Sequence, residues 1–591
     1  MAQKRAAIEQ LIKKATEAKI KKFEAIRGKQ IINFPYWDIV VITAADADQL
    51  TAYNLQLKQK LARQQLPLGI KYHVLKDPGD CKIGPGGSMM AALSWLQTIY
   101  NQTLFKKRVL FIPAGGFSQR LPSASLLGKI FTAVPCGKPI FQMLELILAM
   151  YIDLPVHMES GGIFLACADT IILYDSTVGV EWSFDKPGIT AFGHPAPIEV
   201  GTTHGVFLLP EDKELSHIHI VECEEFLHKR SADNLREKGA LLRQSCRETL
   251  GIVDDYVLVD SSYFMDWETA KKLIDFYEEK SPLTCEIDSH GDFLHGLGNC
   301  GSSSYINDTS NVHIKTDELL SMRQEVFRLL QGTPLHVLVL PHSKFYHIGT
   351  TQELLHHYCN NWSLANELDL SKDTFNRSVQ PESSSSGSQG KPRKACIMNS
   401  YILSHTDTSS DCVVEYCTIK SPCTLSEGCI ISNCVIQASN PSDHVVIPPS
   451  MFFHTASVTL HENTTQYVTI FFNIRDNLKG SVSQGQAAQL PFLNKSFQDI
   501  FRNDITKAIE AIFPPGVGCC LWNAKLFPAM PTMEKSFQAA MTFLTKAQVD
   551  SQSPLSSMTV ENLSMADVLQ YKDIESMLDY RKQLYSHIMQ A

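Results

Sequence analysis

Between Trp37 and Tyr358, short apolar runs alternate with stretches of helical periodicity, the rhythm of an α/β domain built on a mostly parallel sheet. Residues 39–43, 109–112, 163–167, 206–209, 256–259 and 337–340 read as buried strands. Apolar residues recur at helical spacing over 140–152 and 267–279, and Asp266 stands where the N-cap of the second helix belongs. At the start of the chain, Lys13-Lys14, Lys19 and Lys21-Lys22 are interleaved with Glu9, Glu17 and Glu24. This predicts a solvated amphipathic helical segment within 1–36 rather than a basic binding arm.

The pattern changes at 376–394. Ser383-Ser384-Ser385-Ser386-Gly387-Ser388 can bury almost nothing and reads as a linker closing an α/β domain of residues 37–375. Beyond it, in 395–480, Ile402, Val413, Ile419, Leu425, Ile430 and Ile436 recur at roughly six-residue intervals, the spacing of β-helix coils that bury one aliphatic layer on the next. The interruption at 404–411 keeps a β-sandwich open as the alternative. Residues 481–591 read as a helical region, amphipathic over 497–512 and 566–588.

Composition narrows the setting. A chain of 591 residues with 44% hydrophobic and 19% charged residues is an ordinary globular protein too long for one core. Its net charge of −9 offers no field for a nucleic-acid backbone, so no such partner is expected. No run has the length of a signal peptide's apolar stretch or of a membrane span, and the 16 cysteines lack paired zinc spacing. Reduced thiols, a cytoplasmic location and no membrane partner are expected.

Candidate chemistry centres on Ile112-Pro113-Ala114-Gly115-Gly116-Phe117-Ser118-Gln119-Arg120-Leu121-Pro122, followed by Gly128-Lys129. Gly115 and Gly116, with Ser118 in the same loop, let backbone amides approach an anion, and Arg120 and Lys129 add two cations, as a triphosphate requires. A Walker loop would place Ser or Thr after the lysine, and Ile130 stands there instead. A second run, Ile83-Gly84-Pro85-Gly86-Gly87-Ser88, opens a helical stretch over 89–99; Gly86 and Gly87 either present amides to a base or phosphate or simply make a turn. Asp169 follows a strand at a carboxyl end, where it serves either as a hard-oxygen ligand for Mg2+ or as a turn aspartate.

The glycine loop and Gly128-Lys129 resemble the nucleotide signature of the sugar-phosphate nucleotidyltransferases, in the form carried by the fucose-1-phosphate guanylyltransferase family. The likeness continues through Thr202-Thr203-His204-Gly205-Val206-Phe207, Phe226-Leu227-His228-Lys229, Cys285-Glu286-Ile287-Asp288 and Phe345-Tyr346-His347-Ile348-Gly349-Thr350. It implies a Rossmann-like nucleotidyltransferase domain followed by a β-helix. The implied reaction joins GTP to L-fucose 1-phosphate by in-line attack on the α-phosphate, giving GDP-L-fucose and pyrophosphate. Carried over, Arg120 and Lys129 hold the triphosphate, Asp169 binds magnesium, and Lys229 is the lysine of a Glu-Lys-Pro signature that contacts the sugar phosphate. His228 and Arg230 replace the flanking acid and proline, which leaves an exposed lysine as the alternative.

Glu286, Asp288 and Asp292 either accept sugar hydroxyls or form a solvated acidic loop, and Asp288 or Asp292 is alternatively a second metal ligand. His204 and Gly205 are read as substrate contacts, with a satisfied core histidine the alternative for His204. A pyrophosphorylase for another sugar 1-phosphate and a non-catalytic subunit remain the other readings of the whole chain, and the coils would serve self-association.

Overall fold

Ile39–Ala44 is apolar or small at nearly every position and is buried throughout its length, with parallel neighbours on both sides. The computed structural model describes residues 2–590 apart from 33, 80, 178–180, 211–216, 299–300, 309–316, 379–394, 441, 461–463, 503–504, 514–515, 517 and 549–560. Most of the serine-rich stretch expected as a linker, 379–394, therefore lies outside the described residues. Two compact units divide the chain: Met1–Gly116 with Met143–His347, and Phe117–Gln142 with Ile348–Ala591.

The first unit is α/β. Ile39–Ala44 pairs in parallel with Lys71–Lys76 on one side and Arg108–Ile112 on the other, and Arg108–Ile112 pairs in parallel with Gly162–Leu165. Past this point the sheet is mixed. Tyr263–Met265 runs antiparallel between Gly162–Leu165 and the long strand Ile189–Pro197, which takes Leu335–Val339 in parallel and Tyr256–Val259 antiparallel. Eleven strands join among the described residues. The sheet read from the sequence as mostly parallel is thus parallel over its first strands and again where Leu335–Val339 joins, while Tyr256–Val259 and Tyr263–Met265 follow one another in the same direction, both antiparallel to Ile189–Pro197.

Helices cover this sheet. Asp46 caps Ala47–Ala62 by accepting the Gln49 amide at 2.7 Å, and Asp266 caps Trp267–Lys280 by accepting the Thr269 amide at 2.8 Å. Gly84–Tyr100 packs on Trp267–Lys280 through a core that includes Met90, Leu93, Leu273 and Ile274. The helix expected over 140–152 begins only at Met143, since Phe141–Gln142 is extended and pairs with Ala133–Val134.

The second unit is built on three parallel ladders. Val413 pairs with Ile430, Thr418 with Val435 and Thr406 with Cys423, partners 17 residues apart, as are the bonded side chains of Glu415 and Ser432. The six-residue rhythm is the step from one ladder to the next within this longer period, and all six marked aliphatics are buried. Met451–Thr459 extends one ladder and turns back as Thr465–Asn473.

The helical region expected from 481 is interrupted. Phe527–Met530 adds to Thr465–Asn473 as a strand. The stretch 497–512 is two helices, Phe497–Phe501 and Ile505–Ile512, divided where Arg502 takes φ +51°. Likewise 566–588 divides into Met565–Tyr571 and Ile574–Gln590, because Asp573 caps the second by accepting the Ser576 amide at 3.0 Å.

Candidate functional site

The glycine loop leaves the carboxyl end of Arg108–Ile112 and is pinned by its neighbours. Thr43 Oγ1 accepts the Ala114 amide at 3.2 Å and the Tyr53 hydroxyl donates to the Ala114 carbonyl at 2.9 Å. The Gln49 side-chain amide donates to the Gly116 carbonyl at 2.8 Å, while its oxygen accepts the Ala45 amide at 3.0 Å. Gly115 has no room for a side chain: a Cβ would lie 3.0 Å from the Ala45 nitrogen. Gly116 takes φ +114° and faces open space, with nothing within 4 Å of where a Cβ would stand. Its conformation, not crowding, demands glycine, and it leaves the backbone open to an anion.

The second glycine run works differently. The Gly86 amide donates to the Ile287 carbonyl at 2.8 Å, and a Cβ there would fall 2.9 Å from that oxygen. A Cβ on Gly87 would meet the Ile83 side chain at 2.9 Å. Both glycines let the start of Gly84–Tyr100 press onto its neighbours, so the expected presentation of amides to a ligand fails for Gly86, whose amide is taken.

Asp169 is half-buried just past Gly162–Leu165, with its carboxylate 3.8 Å from His347 Nε2. The His347 ring lies 5.8 Å from that of His204, and the His204 carbonyl accepts the Lys229 amide at 3.0 Å. Asp169, His204 and Lys229, far apart in sequence, therefore share one face. His204 Nδ1 sits 3.0 Å from the Val200 carbonyl, which can only accept, so the ring proton is on Nδ1; burial lowers its pKa. Gly205 is a packing residue: its amide donates to Asp260 at 2.8 Å, and a Cβ would lie 2.6 Å from the other Asp260 oxygen. The ligand contact expected of Gly205 is excluded at its amide for that reason.

A cleft opens beside Lys229, lined by Gly84, His228, Arg230, Asp288, His295 and Arg323 among others. Lys229 is exposed here with φ +52°. Burial lowers His228 and His295 to about 4, so both are neutral at ordinary pH. His295 stacks on Tyr305 with ring centres 4.3 Å apart, and its Nδ1 donates to the Gly291 carbonyl at 2.6 Å. The acidic residues are more committed than their sequence suggests. Glu286 pairs with Lys82 at 3.0 Å; Asp288 accepts the His290 amide at 2.9 Å; Asp292 accepts the Asp288 amide at 2.6 Å and pairs with Arg323 at 3.0 Å. Burial raises Asp292 to about 7, against the pull of Arg323. These carboxylates shape the cleft wall, and a solvated acidic loop is excluded for the buried Asp292.

In the second unit, Ser118 takes φ +46° and its carbonyl accepts the Leu121 amide at 2.8 Å. Arg120 is exposed, its carbonyl accepting the Thr351 amide at 3.0 Å. Lys129 is half-buried and opens the short turn Lys129–Phe131 after Gly128, which takes φ +94°.

Among the described residues no three His, Cys, Asp or Glu side chains group as a metal cage. One carboxylate at a strand end suits Mg2+ all the same, since that ion keeps several waters and takes its remaining ligands from substrate phosphates. Asp169 fits this role. Sequence reasoning missed Thr43, Gln49, Tyr53 and Arg323, none of which stands in a motif; folding alone brings them to the glycine loop and to the cleft.

A family model described as the fucose pyrophosphorylase domain matches residues 101–532. The fucose-1-phosphate guanylyltransferase of Mus musculus is 39% identical over 591 residues, covering 98% of each chain. That of Homo sapiens is 40% identical and covers 98% of this chain and 95% of its own. The bifunctional fucokinase/GDP-fucose pyrophosphorylase of Arabidopsis thaliana is 23% identical over 236 residues, 35% of this chain and 22% of the relative.

Proposed function

The chain belongs to the fucose pyrophosphorylase family, and from this membership we propose that it is a nucleotidyltransferase making GDP-L-fucose and pyrophosphate from GTP and L-fucose 1-phosphate. The observation that carries the reading is the 39% identity to a fucose-1-phosphate guanylyltransferase across 98% of both chains.

The sugar phosphate arrives ionised and needs no base; one of its oxygens attacks the α-phosphorus in line as pyrophosphate leaves. Two anions must then meet, and their repulsion is several kcal/mol at low effective dielectric. Gly115 and Gly116 offer an open backbone to the triphosphate and Lys229 meets the sugar phosphate; by the family's sequence signature alone, Arg120 and Lys129 are assigned to the β- and γ-phosphates. The cleft beside Lys229 takes the sugar, with neutral His228 and His295 on its wall and the aromatic face of Tyr305 behind. Asp169 holds Mg2+, which when bound offsets phosphate charge. His347, beside Asp169, orients that carboxylate.

We read the 17-residue ladders of the second unit as β-helix coils, a reading their parallel register supports. Self-association through these coils belongs to the same proposal. Among the described residues no helix is long and apolar enough to cross a membrane, and a cytoplasmic setting belongs to the same proposal.

The test is pyrophosphate release from each common nucleoside triphosphate paired with a panel of sugar 1-phosphates. GTP with L-fucose 1-phosphate should be the fastest pair. Faster release with another sugar phosphate would reassign the substrate, and no release with any pair would leave a non-catalytic subunit.

A further inference from the structure

We propose that Asp77 reads the guanine base, its carboxylate accepting the N1–H and N2–H donors of the purine's Watson–Crick edge. The inference rests on the GTP reading above and adds the residue that selects the base.

Asp77 directly follows Lys71–Lys76, and its amide donates to the Ala44 carbonyl at 2.9 Å. The carbonyl carbon of Ala44 lies 3.2 Å from where a Cβ on Gly115 would stand. Asp77 is therefore beside the glycine loop, at the carboxyl ends of three neighbouring parallel strands, where open α/β sheets hold their ligands.

Four other polar side chains near these strand ends are spent. Thr43 and Tyr53 bind the Ala114 backbone, both ends of the Gln49 amide are used, and Asp46 caps a helix. Asp77 differs. Its Oδ1 takes the Ser88 hydroxyl, and no hydrogen bond to Oδ2 is formed among the described residues.

Ser88 is buried on the first turn of Gly84–Tyr100, with its Oγ also 2.9 Å from the Gly84 carbonyl. The close packing of Gly86 and Gly87 fixes this turn, so the second glycine run acts by anchoring the hydroxyl that orients Asp77. The run's place near the nucleotide is thereby explained without amide contacts.

A carboxylate accepts and never donates when ionised, and guanine presents two adjacent donors on one edge. Adenine places a bare N1 acceptor there, so lone pair would meet lone pair. Burial raises Asp77 to about 6, still below neutral pH, so the carboxylate is mostly ionised there.

The test compares GTP with ITP, whose base keeps N1–H but lacks the N2 amino group, each with L-fucose 1-phosphate. The wild-type chain should prefer GTP by about tenfold in kcat/KM. In Asp77→Asn, GTP should lose about a hundredfold and ITP less, so that the preference collapses toward one, with the KM for L-fucose 1-phosphate unchanged. Ser88→Ala, which leaves the carboxylate in place but unanchored, should erode the preference partway and serves if Asp77→Asn does not fold. A folded Asp77→Asn that keeps the wild-type ratio, or a wild-type chain that does not distinguish GTP from ITP, overturns the proposal. A wild-type chain that releases no pyrophosphate from GTP with any sugar phosphate removes the GTP reading and this proposal with it.

Discussion

Gln49 donates its side-chain amide to the Gly116 carbonyl at 2.8 Å and accepts the Ala45 amide at 3.0 Å, so one buried residue ties the glycine loop to the end of the neighbouring strand. A loop that must offer amides to an anion gains from being fixed beforehand, because no ordering is left to do when substrate arrives. Gln49→Ala would leave both backbone groups without their partner, at about 1–3 kcal/mol each when buried. The expected outcome is a drop in kcat/KM for GTP of about tenfold or more with a melting temperature only a few degrees lower. Gln49→Glu keeps the acceptor for Ala45 and should lie between the two; an unchanged kcat/KM in Gln49→Ala would show that the tie has no part in catalysis.

Arg120 and Lys129 carry the two charges expected on the triphosphate. If they stabilise the departing pyrophosphate, Arg120→Ala and Lys129→Ala should each lower kcat by about 10²-fold, the usual scale for a preorganised charge-stabilising donor. Arg120 is exposed, so its removal leaves no cavity and the folded state should be unaffected by circular dichroism. Turnover near the wild-type rate in either folded variant would strike that residue from the site.

What could be read from the sequence was whatever chain-local chemistry dictates. The strand at 109–112, the glycines after it and the Asp266 cap all depend on neighbours within a few residues, and each stands where it was expected. The period of the parallel ladders could be seen as a six-residue rhythm but not as 17 residues, because successive strands look alike until the register is known. What failed depends on distant partners. Nothing near Gly86 in sequence announces that Ile287 will take its amide, and nothing near Asp292 announces Arg323. An acidic cluster looks solvated until the fold buries it.

His194 gives a pH signature. It is fully buried between the Ser343 and Ser261 hydroxyls, at 2.9 Å and 2.7 Å, and burial pushes it down from 6.5 to about 3. A group with a depressed folded-state value contributes stability above its unfolded value that is lost as pH falls toward the folded one. Between about pH 6 and pH 4, the wild-type advantage in unfolding free energy over His194→Gln should therefore shrink by about 1.4 kcal/mol per pH unit. Urea unfolding of both proteins across that range measures the difference, and a constant gap would mean that His194 is not held neutral.

Lys229 combines an unfavourable backbone with a functional side chain. Its φ of +52° puts a non-glycine residue in the left-handed region, at a cost of about 1 kcal/mol, and nothing in its packing requires lysine because the side chain is exposed. The bond that fixes the local turn, from its amide to the His204 carbonyl at 3.0 Å, is a backbone bond that any residue but proline would keep. Lys229→Gly should therefore match or exceed the wild-type chain in thermal stability, by up to about 1 kcal/mol, since glycine adopts this conformation without strain. The same change removes the cation at the mouth of the cleft, and kcat/KM for L-fucose 1-phosphate should fall by about 10²-fold. Lys229→Ala separates the two effects: it should lose activity as fully as the glycine variant without the gain in stability. A glycine variant that is both more stable and fully active would assign the strained turn to structure alone and take Lys229 out of the reaction.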